Sequence, residues 1–414
     1  MLSREENELL TRVGPGTPMG ELFRRYWIPA LLSEEIPAPD CPPVRVRLLG
    51  EDLVAFRDSQ GRIGLLGEFC LHRRASLFYG RNEECGLRCA YHGWKYDVEG
   101  NVLETPAEPP ESNLKHKVHQ TAYPCREASG VVFTYMGPKE KIPLLPNFEW
   151  LTVLPDHVGA AKFFIECNYL QALEGDCDTS HVGILHLGNP VKSGGGDIAQ
   201  IGAQDRAPRF ENEETWCGIR SSAIRKVSPD TKSVDVFAFA MPFTACVPAG
   251  KKINGKLDGY LIVYQTPSDD YHTTRYNFRF QRSEPISQEA ITSEKAQVGP
   301  DYKLIAIRRN EYLQDREKQR TTDSVGIEGF ATQDACVTES MGPIADRTRE
   351  HLGTSDAYVI AIRKFLIKAV QDFRKGKEPP GLVWDPAKND FSIVSCNSTR
   401  LPLSAPSKEA EART

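Results

Sequence analysis

Two short strings of cysteine and histidine carry the clearest chemical signal in the chain. The first is Cys70-x-His72, and the second, after sixteen intervening residues, is Cys89-x-x-His92. Each string can present one thiolate and one imidazole from a loop. That ligand set suits a tetrahedral zinc ion. It equally suits a two-iron cluster in which two cysteines hold one iron and two histidines hold the other.

A second group of candidate ligands lies further along the chain. At about 100° per residue, Glu174, Asp178 and His181 share one face of a helix. His186 would point roughly 140° away from His181 on the same helix, so the two rings converge only if the helix breaks, for which Gly183 is a suitable place. Two histidines and a carboxylate form the facial triad of non-haem Fe(II) oxygenases. Taken alone, two ordinary histidines at a helix end explain the run as well.

The composition describes an ordinary globular protein, with 40% hydrophobic and 26% charged residues. The net charge of −5 and the absence of a basic block argue against a nucleic-acid partner. The N-terminus is charged and lacks the apolar region of a signal peptide, and no apolar run approaches the roughly eighteen residues of a membrane span. Eleven cysteines without an export signal favour reduced thiols in a cytoplasmic enzyme.

The length of 414 residues and the change of local sequence pattern along the chain predict two main domains. A short N-terminal segment precedes a small antiparallel β domain that carries the Cys/His loops, and a larger catalytic domain precedes a polar tail; the predicted bounds are 1–40, 41–150, 151–404 and 405–414. Within the larger domain the periodicity predicts helices and strands in separate blocks, which indicates an α+β fold. The helices are expected at 166–187, 302–320 and 356–375, and the strands within 230–284.

Several stretches resemble one enzyme family. The run Tyr91-His92-Gly93-Trp94-Lys95-Tyr96 resembles the second cluster loop of Rieske ring-hydroxylating oxygenases, and residues 174–186 resemble their mononuclear-iron motif. With residues 14–27 and Gln333-Asp334, the resemblance covers essentially the full length and points to the oxygenase (α) component of the phthalate dioxygenase group. It implies an antiparallel β Rieske [2Fe-2S] domain followed by a helix-grip catalytic domain, in which helices pack on an antiparallel sheet. It also implies a homotrimer or stacked trimers (a hexamer).

The resemblance further implies one Rieske [2Fe-2S] cluster and one mononuclear Fe(II) per chain. The implied cluster ligands are Cys70 and Cys89 on one iron and His72 and His92 on the other. The implied ligands of the mononuclear iron are His181, His186 and, from a distant segment, Asp334. A solvated acid near a helix start is the alternative interpretation of Asp334, and the competing carboxylates are Asp301, Asp323 and Asp346.

Two further acids have expected roles near the iron. Asp178 lies one turn before His181 and can accept a ring N–H and orient that ligand. In the family it also bonds a cluster histidine of the neighbouring subunit, so electrons are expected to cross along His92–Asp178–His181; a bond within one chain is the simpler alternative. Glu174 matches another position near the iron, with no assigned role. The first cluster loop departs from the family, with Leu71 and Arg74 where Pro and Gly are usual.

No nicotinamide or flavin fingerprint is apparent, so electrons are expected from a separate NAD(P)H-dependent reductase with FMN and a [2Fe-2S] cluster, or from a ferredoxin and its reductase. The subgroup implies an aromatic carboxylate substrate, for which an arginine is the favoured partner. Arg206 and Arg209 are the candidates, with surface arginines an equal interpretation. The strand at 236–246, which has no Arg or Lys, is expected to line the pocket. Phthalate itself, a dianion, is therefore less expected than a benzoate, phenoxybenzoate or dehydrodivanillate type of acid.

The main functional hypothesis is cis-dihydroxylation of an aromatic acid with dioxygen. O-demethylation of a methoxylated aromatic or biaryl acid is the close alternative, because the outcome depends on which carbon lies over the metal. A Rieske electron-transfer protein without oxygenase activity is the alternative from a different class.

Overall fold

The computed structural model describes residues 1–187, 196–287, 289, 291, 297–408 and 410. Half of the segment predicted as a polar tail, residues 405–408 and 410, is therefore described, whereas residues 409 and 411–414 lie outside the described part. None of the described helices is both long and apolar enough to cross a bilayer.

The N-terminal half is built from three small antiparallel sheets, as predicted for the domain that carries the Cys/His loops. Their strands are Trp27–Leu32 (β1), Val44–Leu48 (β2), Glu51–Arg57 (β3), Ile63–Gly67 (β4), Arg81–Glu83 (β5), Gly86–Arg88 (β6), Lys95–Tyr96 (β7), Val102–Glu104 (β8), Cys125–Ala128 (β9) and Val131–Tyr135 (β10). The sheets run β1-β10-β9, β2-β3-β4 and β5-β6-β7-β8. Because β1 pairs with β10, part of the segment 1–40 belongs structurally to this half. The exact domain bounds stay predictions.

Two short helices precede β1, Arg4–Thr11 (α1) and Pro18–Phe23 (α2). Ser3 and Glu6 form a capping box at the start of α1, and Thr17 caps α2 ahead of Pro18. Both helices contribute buried side chains to a hydrophobic core that contains residues of both halves. The N-terminal segment is therefore folded and packs against the core.

The second half contains an eight-stranded antiparallel sheet in the order β11-β19-β18-β15-β14-β13-β12, with β20 paired to β14. Its strands are Val158–Ile165 (β11), Arg209–Glu214 (β12), Gly218–Lys226 (β13), Thr231–Ala240 (β14), Thr244–Val247 (β15), Leu261–Pro267 (β18), Thr273–Phe280 (β19) and Asn397–Pro402 (β20). A separate hairpin joins Lys252–Ile253 (β16) and Lys256–Leu257 (β17). The strands predicted within 230–284 are confirmed.

Helices accompany this sheet, and two of them, Tyr169–Cys177 and Ala357–Arg374, pack directly on its strands, which gives the predicted α+β architecture. The helices are Tyr169–Cys177 (α3), Val182–Leu185 (α4), Gly196–Gln204 (α5), Arg316–Thr321 (α6), Phe330–Ser340 (α7) and Ala357–Arg374 (α8). Helix α8 packs on β12 and β13 through apolar residues spaced three and four apart. The helix predicted at 302–320 is largely wrong, because only α6 and a short 3₁₀ turn at Arg308–Leu313 form there.

The helix predicted over 166–187 is two helices. Asn168 caps α3, and the chain leaves the helix at Asp178, whose backbone is extended with φ −89° and ψ 116°. Helix α4 begins after His181 and ends before His186. The break therefore precedes His181, and its expected position at Gly183 is wrong. Placing His181 and His186 at the two ends of a four-residue helix is what lets both rings face one point.

Candidate metal centres

The Cys/His strings form two hairpin-like loops held by backbone hydrogen bonds. In the first loop Cys70 N donates to Ala75 O and Arg74 N donates to Cys70 O, both at 2.9 Å. In the second, Cys89 N donates to Trp94 O at 2.8 Å, and Gly93, at φ 74°, donates to Cys89 O at 3.0 Å. Such repeated local bonds fix where each thiol and imidazole points.

The four candidate cluster ligands converge at the tip of these loops. Cys70 and Cys89 are buried, and the rings of His72 and His92 have centroids 4.4 Å apart. The His72 ring stacks on Trp94, and its Nδ1 is buried without a hydrogen-bond partner among the described residues. A buried ring nitrogen is rarely left unpaired. Two thiols and two imidazoles with a free ring nitrogen fit a Rieske cluster.

A tyrosine hydroxyl supports one of the cysteines. Leu71 N donates to Tyr96 Oη at 3.1 Å, which leaves the hydroxyl hydrogen for Cys70 Sγ, also at 3.1 Å. Burial raises the pKa of the Cys70 thiol, and the Tyr96 hydroxyl opposes that rise. Hydrogen bonds to the sulfurs are one means by which a protein sets a cluster's potential.

The second centre brings His181 and His186, at the two ends of α4, together with Asp334 of the distant helix α7. Their candidate ligand atoms all lie within 4.8 Å of one another. Asp334 Oδ1 is 3.0 Å from His186 Nε2 and 3.7 Å from His181 Nε2. Burial opposes ionisation of Asp334, but His186 and His181 outweigh it and lower the pKa of the carboxyl. The arrangement is that of a facial triad.

Gln333 selects the tautomer of the neutral His186 ring. The amide nitrogen of Gln333 donates to Ile327 O at 2.8 Å, so its oxygen is the acceptor for His186 Nδ1–H at 2.7 Å. In the neutral ring, Nε2 is therefore the nitrogen that carries the lone pair; it is buried and has no hydrogen-bond partner among the described residues. In this tautomer the Nε2 lone pair would face the Asp334 carboxylate at 3.0 Å, and a cation between two such electron-rich groups would stabilise them. The donor set therefore fits a metal ion.

Asp178 lies beside the other histidine, in the turn between α3 and α4. Its Oδ2 is 3.4 Å from His181 Nδ1, and its Oδ1 accepts from Ser180 N at 2.7 Å. Burial would raise the pKa of Asp178, but His181 outweighs it and the pKa is lowered. This contact orients the His181 ring so that Nε2 faces Asp334.

Arg225 holds the same turn from the sheet below. Its Nη2 donates to Thr179 O at 2.9 Å, and its Nε donates to Asp205 O at 3.2 Å. The side chain is 1% exposed. A buried arginine on β13 thus ties the turn that carries Asp178 and His181 to the sheet. The sequence offered no motif for it.

Two glycines bring α4 and α5 into close contact. A Cβ at Gly183 would lie 2.3 Å from the carbonyl carbon of Gly202, whereas a Cβ at Gly202 would lie 3.3 Å from the Cα of Gly183. Gly183 is therefore required for the approach of α5, which braces the helix between the two candidate iron ligands.

Glu174 takes part in a buried ion-pair network and not in the triad. It accepts from Arg347 Nη2 at 2.9 Å and from Arg363 Nε at 2.6 Å, and Arg363 also contacts Glu350 at 2.6 Å. Burial would raise the pKa of Glu174, but the two arginines outweigh it and lower that pKa. Arg347, which is fully buried, also donates to the Asn7 side chain. The network joins α3 to α8 and α1.

A cleft of about 260 Å³ opens beside the triad and includes His181, Asp334 and Asp178 in its lining. Arg275 also lines it, and its Nη1 lies 2.8 Å from Asp176 Oδ1, so this cation already has a carboxylate partner. Burial raises the pKa of Asp176, with Arg275 opposing.

The structure does not bring the predicted substrate residues to this cleft. Arg206 and Arg209 are exposed, and Arg209 pairs with Glu211 at 2.9 Å. The segment 236–246, predicted as one strand, is the end of β14 and the start of β15 joined by a turn, and none of its residues is among those that line the cleft. Phe237 packs on Tyr358 and Phe239 on Phe365, because β14 lies beneath α8.

The competing carboxylates lie elsewhere. Each accepts hydrogen bonds from backbone N–H groups of its own loop: Asp301 from Lys303, Asp323 from Val325, and Asp346 from Thr348. Among the described residues, Asp334 is the acid grouped with both histidines.

Comparison with known families covers both halves. A family model described as the Rieske [2Fe-2S] domain matches residues 26–125, and one described as "LigXa C-terminal domain like" matches residues 134–399. The fold is shared with solved structures, among them a caffeine-bound mutant of NdmA from Pseudomonas putida CBB5. That structure has a TM-score of 0.62 at 19% identity, over 86% of this chain and 93% of the other.

Similar curated proteins include two oxygenase subunits. The chain is 41% identical to the phthalate 4,5-dioxygenase oxygenase subunit of Pseudomonas putida, over 92% of this chain and 89% of that protein. It is 33% identical to the 5,5'-dehydrodivanillate O-demethylase oxygenase subunit of Sphingobium sp. (strain NBRC 103272 / SYK-6), over 94% of this chain and 85% of that protein.

Proposed function

The chain belongs to the Rieske oxygenases as an oxygenase subunit, and we propose that it dihydroxylates an aromatic carboxylate. The observation that carries the proposal is the buried Nε2 of His186, which faces Asp334 without a hydrogen-bond partner among the described residues, in the same chain as the two Cys/His loops. The loops supply a place for an electron store, and the triad supplies a place for dioxygen chemistry.

We assign the Rieske [2Fe-2S] cluster to Cys70, His72, Cys89 and His92, and one mononuclear Fe(II) to His181, His186 and Asp334. When bound, the cluster donates single electrons and the mononuclear iron activates dioxygen beside the substrate. The protein's own part is orientation. Gln333 directs His186 Nε2 toward Asp334, and Asp178 directs His181.

The route between the centres is proposed to cross between chains. No described hydrogen bond or ion pair joins the Cys70–Trp94 tip to the α3–α4 turn within one chain. Asp178 retains 26% of its side-chain exposure, so it can accept a bond from His92 of a neighbouring copy. A homotrimer or stacked trimers (a hexamer) would place the two side chains together. Electrons would enter from a separate NAD(P)H-dependent reductase containing FMN and [2Fe-2S], or from a ferredoxin.

O-demethylation is the second candidate, favoured by the similarity to the dehydrodivanillate O-demethylase subunit. Dihydroxylation adds both atoms of dioxygen to the ring and consumes two electrons and two protons. Demethylation of a methoxyarene consumes the same inputs but yields a phenol, formaldehyde and water. The same triad serves both reactions, and the bound orientation of the substrate decides between them.

Product analysis on a panel of aromatic acids tests the proposal. The holoprotein would be assayed with a surrogate reductase and NADH on phthalate, benzoate, 3-phenoxybenzoate and dehydrodivanillate, with ¹⁸O₂ and a formaldehyde assay. A cis-diol carrying two labelled atoms is expected. Formaldehyde with a phenol would support the second candidate instead. Cluster reduction without any oxygenated product from the panel would contradict both, and would favour an electron carrier if iron were confined to the cluster.

A further inference from the structure

Two arginines line the described part of the cleft beside the triad, and they differ in the hydrogen bonds that they leave open. Arg363 donates from Nε to Glu174 at 2.6 Å, and from Nη1 and Nη2 to Glu350 at 2.6 and 3.0 Å. Each nitrogen of this guanidinium therefore already has an acceptor within the chain. Arg363 is a structural cation of the network around Glu174.

Arg275 keeps one nitrogen open to the cleft. Its Nε donates to Asn277 Oδ1 at 2.9 Å, and its Nη1 lies 2.8 Å from Asp176 Oδ1. Within the described ranges its Nη2 has no hydrogen-bond partner, and this atom is not fully buried. Because Arg275 lines the cleft, Nη2 is available to an acceptor that enters it.

The guanidinium of Arg275 is held in place before any ligand binds. Asp176 Oδ2 accepts from Gln265 Nε2 at 2.6 Å, so both oxygens of Asp176 are fixed. Gln265 on β18 lies directly opposite Arg275 on β19. The Phe163 ring, whose centroid is 5.5 Å from Arg275 Cζ, packs against the guanidinium. A donor that is already ordered loses little freedom when it binds, which favours a role in recognition.

The cleft also has an apolar wall, formed by Ile165, Ala172 and Ala335, which belong to one hydrophobic cluster. Ala335 directly follows Asp334 on α7, so the wall reaches the triad. An aromatic ring that packs on such a wall is removed from water, and a carboxylate on that ring needs a charged donor. Arg275 provides this donor in the same cleft.

The charge of the cleft limits how many carboxylates a ligand can carry. The cleft lining contains six carboxylates and two arginines. Arg275 is already paired with Asp176, so its charge is partly balanced before a ligand enters. Like charges in a poorly solvated cleft repel each other strongly. A ligand with one carboxylate is therefore favoured over a dianion such as phthalate.

We infer that Arg275 Nη2 binds the carboxylate of the substrate while the aromatic ring packs on the apolar wall, and that the acidic cleft selects monocarboxylates. This assignment rests on the proposed function, because it supposes that the substrate is an aromatic acid. Asp176 is a positioning residue that holds the guanidinium and balances part of its charge. Arg206 and Arg209, the candidates from the sequence, lie at the surface and take no part.

Calorimetric titration of the anaerobic holoprotein measures ligand binding without turnover. The wild type should bind benzoate at least about tenfold more tightly than benzamide, its neutral isostere. Arg275→Gln should raise the dissociation constant of benzoate about 10- to 100-fold, the effect of losing a charged hydrogen bond, and that of benzamide less than about threefold. Arg275→Lys should recover part of the benzoate affinity, because it keeps the charge but lacks the fixed planar fork.

Two further variants separate binding from folding. Arg275→Gln leaves Asp176 buried without its cation, so it is paired with the double variant Arg275→Gln/Asp176→Asn, which removes both charges. The double variant should bind benzoate as weakly as Arg275→Gln does. Asp176→Asn alone frees the charge of Arg275, and it should tighten the binding of phthalate about tenfold and that of benzoate less.

Arg209→Gln is the matched control, since it makes the same change at an exposed arginine that pairs with Glu211. It should leave the dissociation constants of benzoate and benzamide unchanged. Iron content and the cluster spectrum, measured in every variant, show that both centres are intact.

Three results would overturn the inference. The first is a wild type that binds benzoate no more tightly than benzamide. The second is an Arg275→Gln protein, or the double variant, that binds benzoate as Arg209→Gln does. The third is an Asp176→Asn protein in which phthalate gains no affinity relative to benzoate.

The same measurements separate the anchor from the reaction. If the Arg275 effects hold while the acid panel yields no product, the anchor stands and the proposed function fails. If the panel yields oxygenated acids while the Arg275 variants bind benzoate normally, the proposed function stands and the anchor fails.

Discussion

The two candidate centres of this chain are built in opposite ways. The cluster loops are local: four ligands within 23 residues (70–92), held by hydrogen bonds inside each loop. The triad is distributed, with two histidines flanking α4 and an acid on α7, held by side chains from the sheet and from neighbouring helices. A local site depends mainly on its own loops, whereas a distributed site depends on the packing of the whole domain.

Removing one ligand from each centre is the strongest test of whether the two centres are built independently. His186→Ala should lose the mononuclear iron and all product while the cluster spectrum persists, because the loops do not depend on α4. Cys89→Ser should lose the cluster, since a cluster iron would lack one of its two thiolates. Iron analysis should give about three atoms per wild-type chain and about two in His186→Ala. Loss of the cluster spectrum in His186→Ala would show that the centres are not independent.

Asp178→Asn tests the link between the centres. The substitution keeps the size of the side chain but removes the charge that faces His181. Turnover should fall nearly to zero, with the cluster spectrum and iron content retained. Near-normal activity with full coupling of electrons to product would rule out Asp178 as the bridge.

Glu174→Gln tests how far the distributed site depends on remote packing. Buried Arg347 would lose its carboxylate partner and Arg363 one of its two, so the free energy of unfolding should fall by about 3 kcal/mol at neutral pH. Because the pKa of Glu174 is lowered on folding, its contribution is present above the unfolded pKa and is lost as the pH falls through the folded value. The gap between variant and wild type, measured by denaturant titration, should therefore close below about pH 4. A constant gap would mean that packing, not charge, is lost.

Gln333→Leu removes the hydrogen bond that sets the His186 tautomer. We expect iron affinity at the triad to fall about 10- to 100-fold, the usual effect of losing such a partner. Competition with a chelator measures it, and the cluster absorbance is the internal control. Unchanged iron retention would contradict the assigned tautomer.

Gly183→Ala and Gly202→Ala form a matched pair for the contact between α4 and α5. The first should destabilise the protein by about 2 kcal/mol, as overpacking does, because its Cβ would lie 2.3 Å from backbone. In Gly202→Ala the new Cβ would lie 3.3 Å from the nearest backbone atom, so this substitution should destabilise the protein clearly less. Thermal unfolding with iron analysis ranks them, and equal effects would mean that the helices separate freely.

The same contrast explains what could be predicted from the sequence. The cluster motif needs only residues near one another in the chain, so its four candidate ligands could be selected at once. His181, His186 and Asp334 were selected by resemblance, because spacing on one helix placed the two rings about 140° apart. The break at Asp178 arises from tertiary packing, with Arg225 holding Thr179, and no local pattern encodes it.

The strands and the two-part α+β architecture followed from alternation and composition, whereas other features did not. The Arg347 and Arg363 partners of Glu174 lie 173 and 189 residues away, beyond any sequence window. The substrate arginines were chosen by position after the iron helix, but Arg206 and Arg209 lie at the surface. A buried cation such as Arg275 has no signature in a strand sequence.

The central claim, that the two centres form one catalytic unit across neighbouring chains, is most directly tested by mixed oligomers. Cys89→Ser chains lack the cluster and His186→Ala chains lack the triad iron, so neither alone should form product. Co-assembled from differently tagged chains, they should regain activity, because the intact cluster of one chain would face the intact triad of its neighbour. Mixed oligomers that contain both centres and yet form no product would show that electrons do not cross between chains.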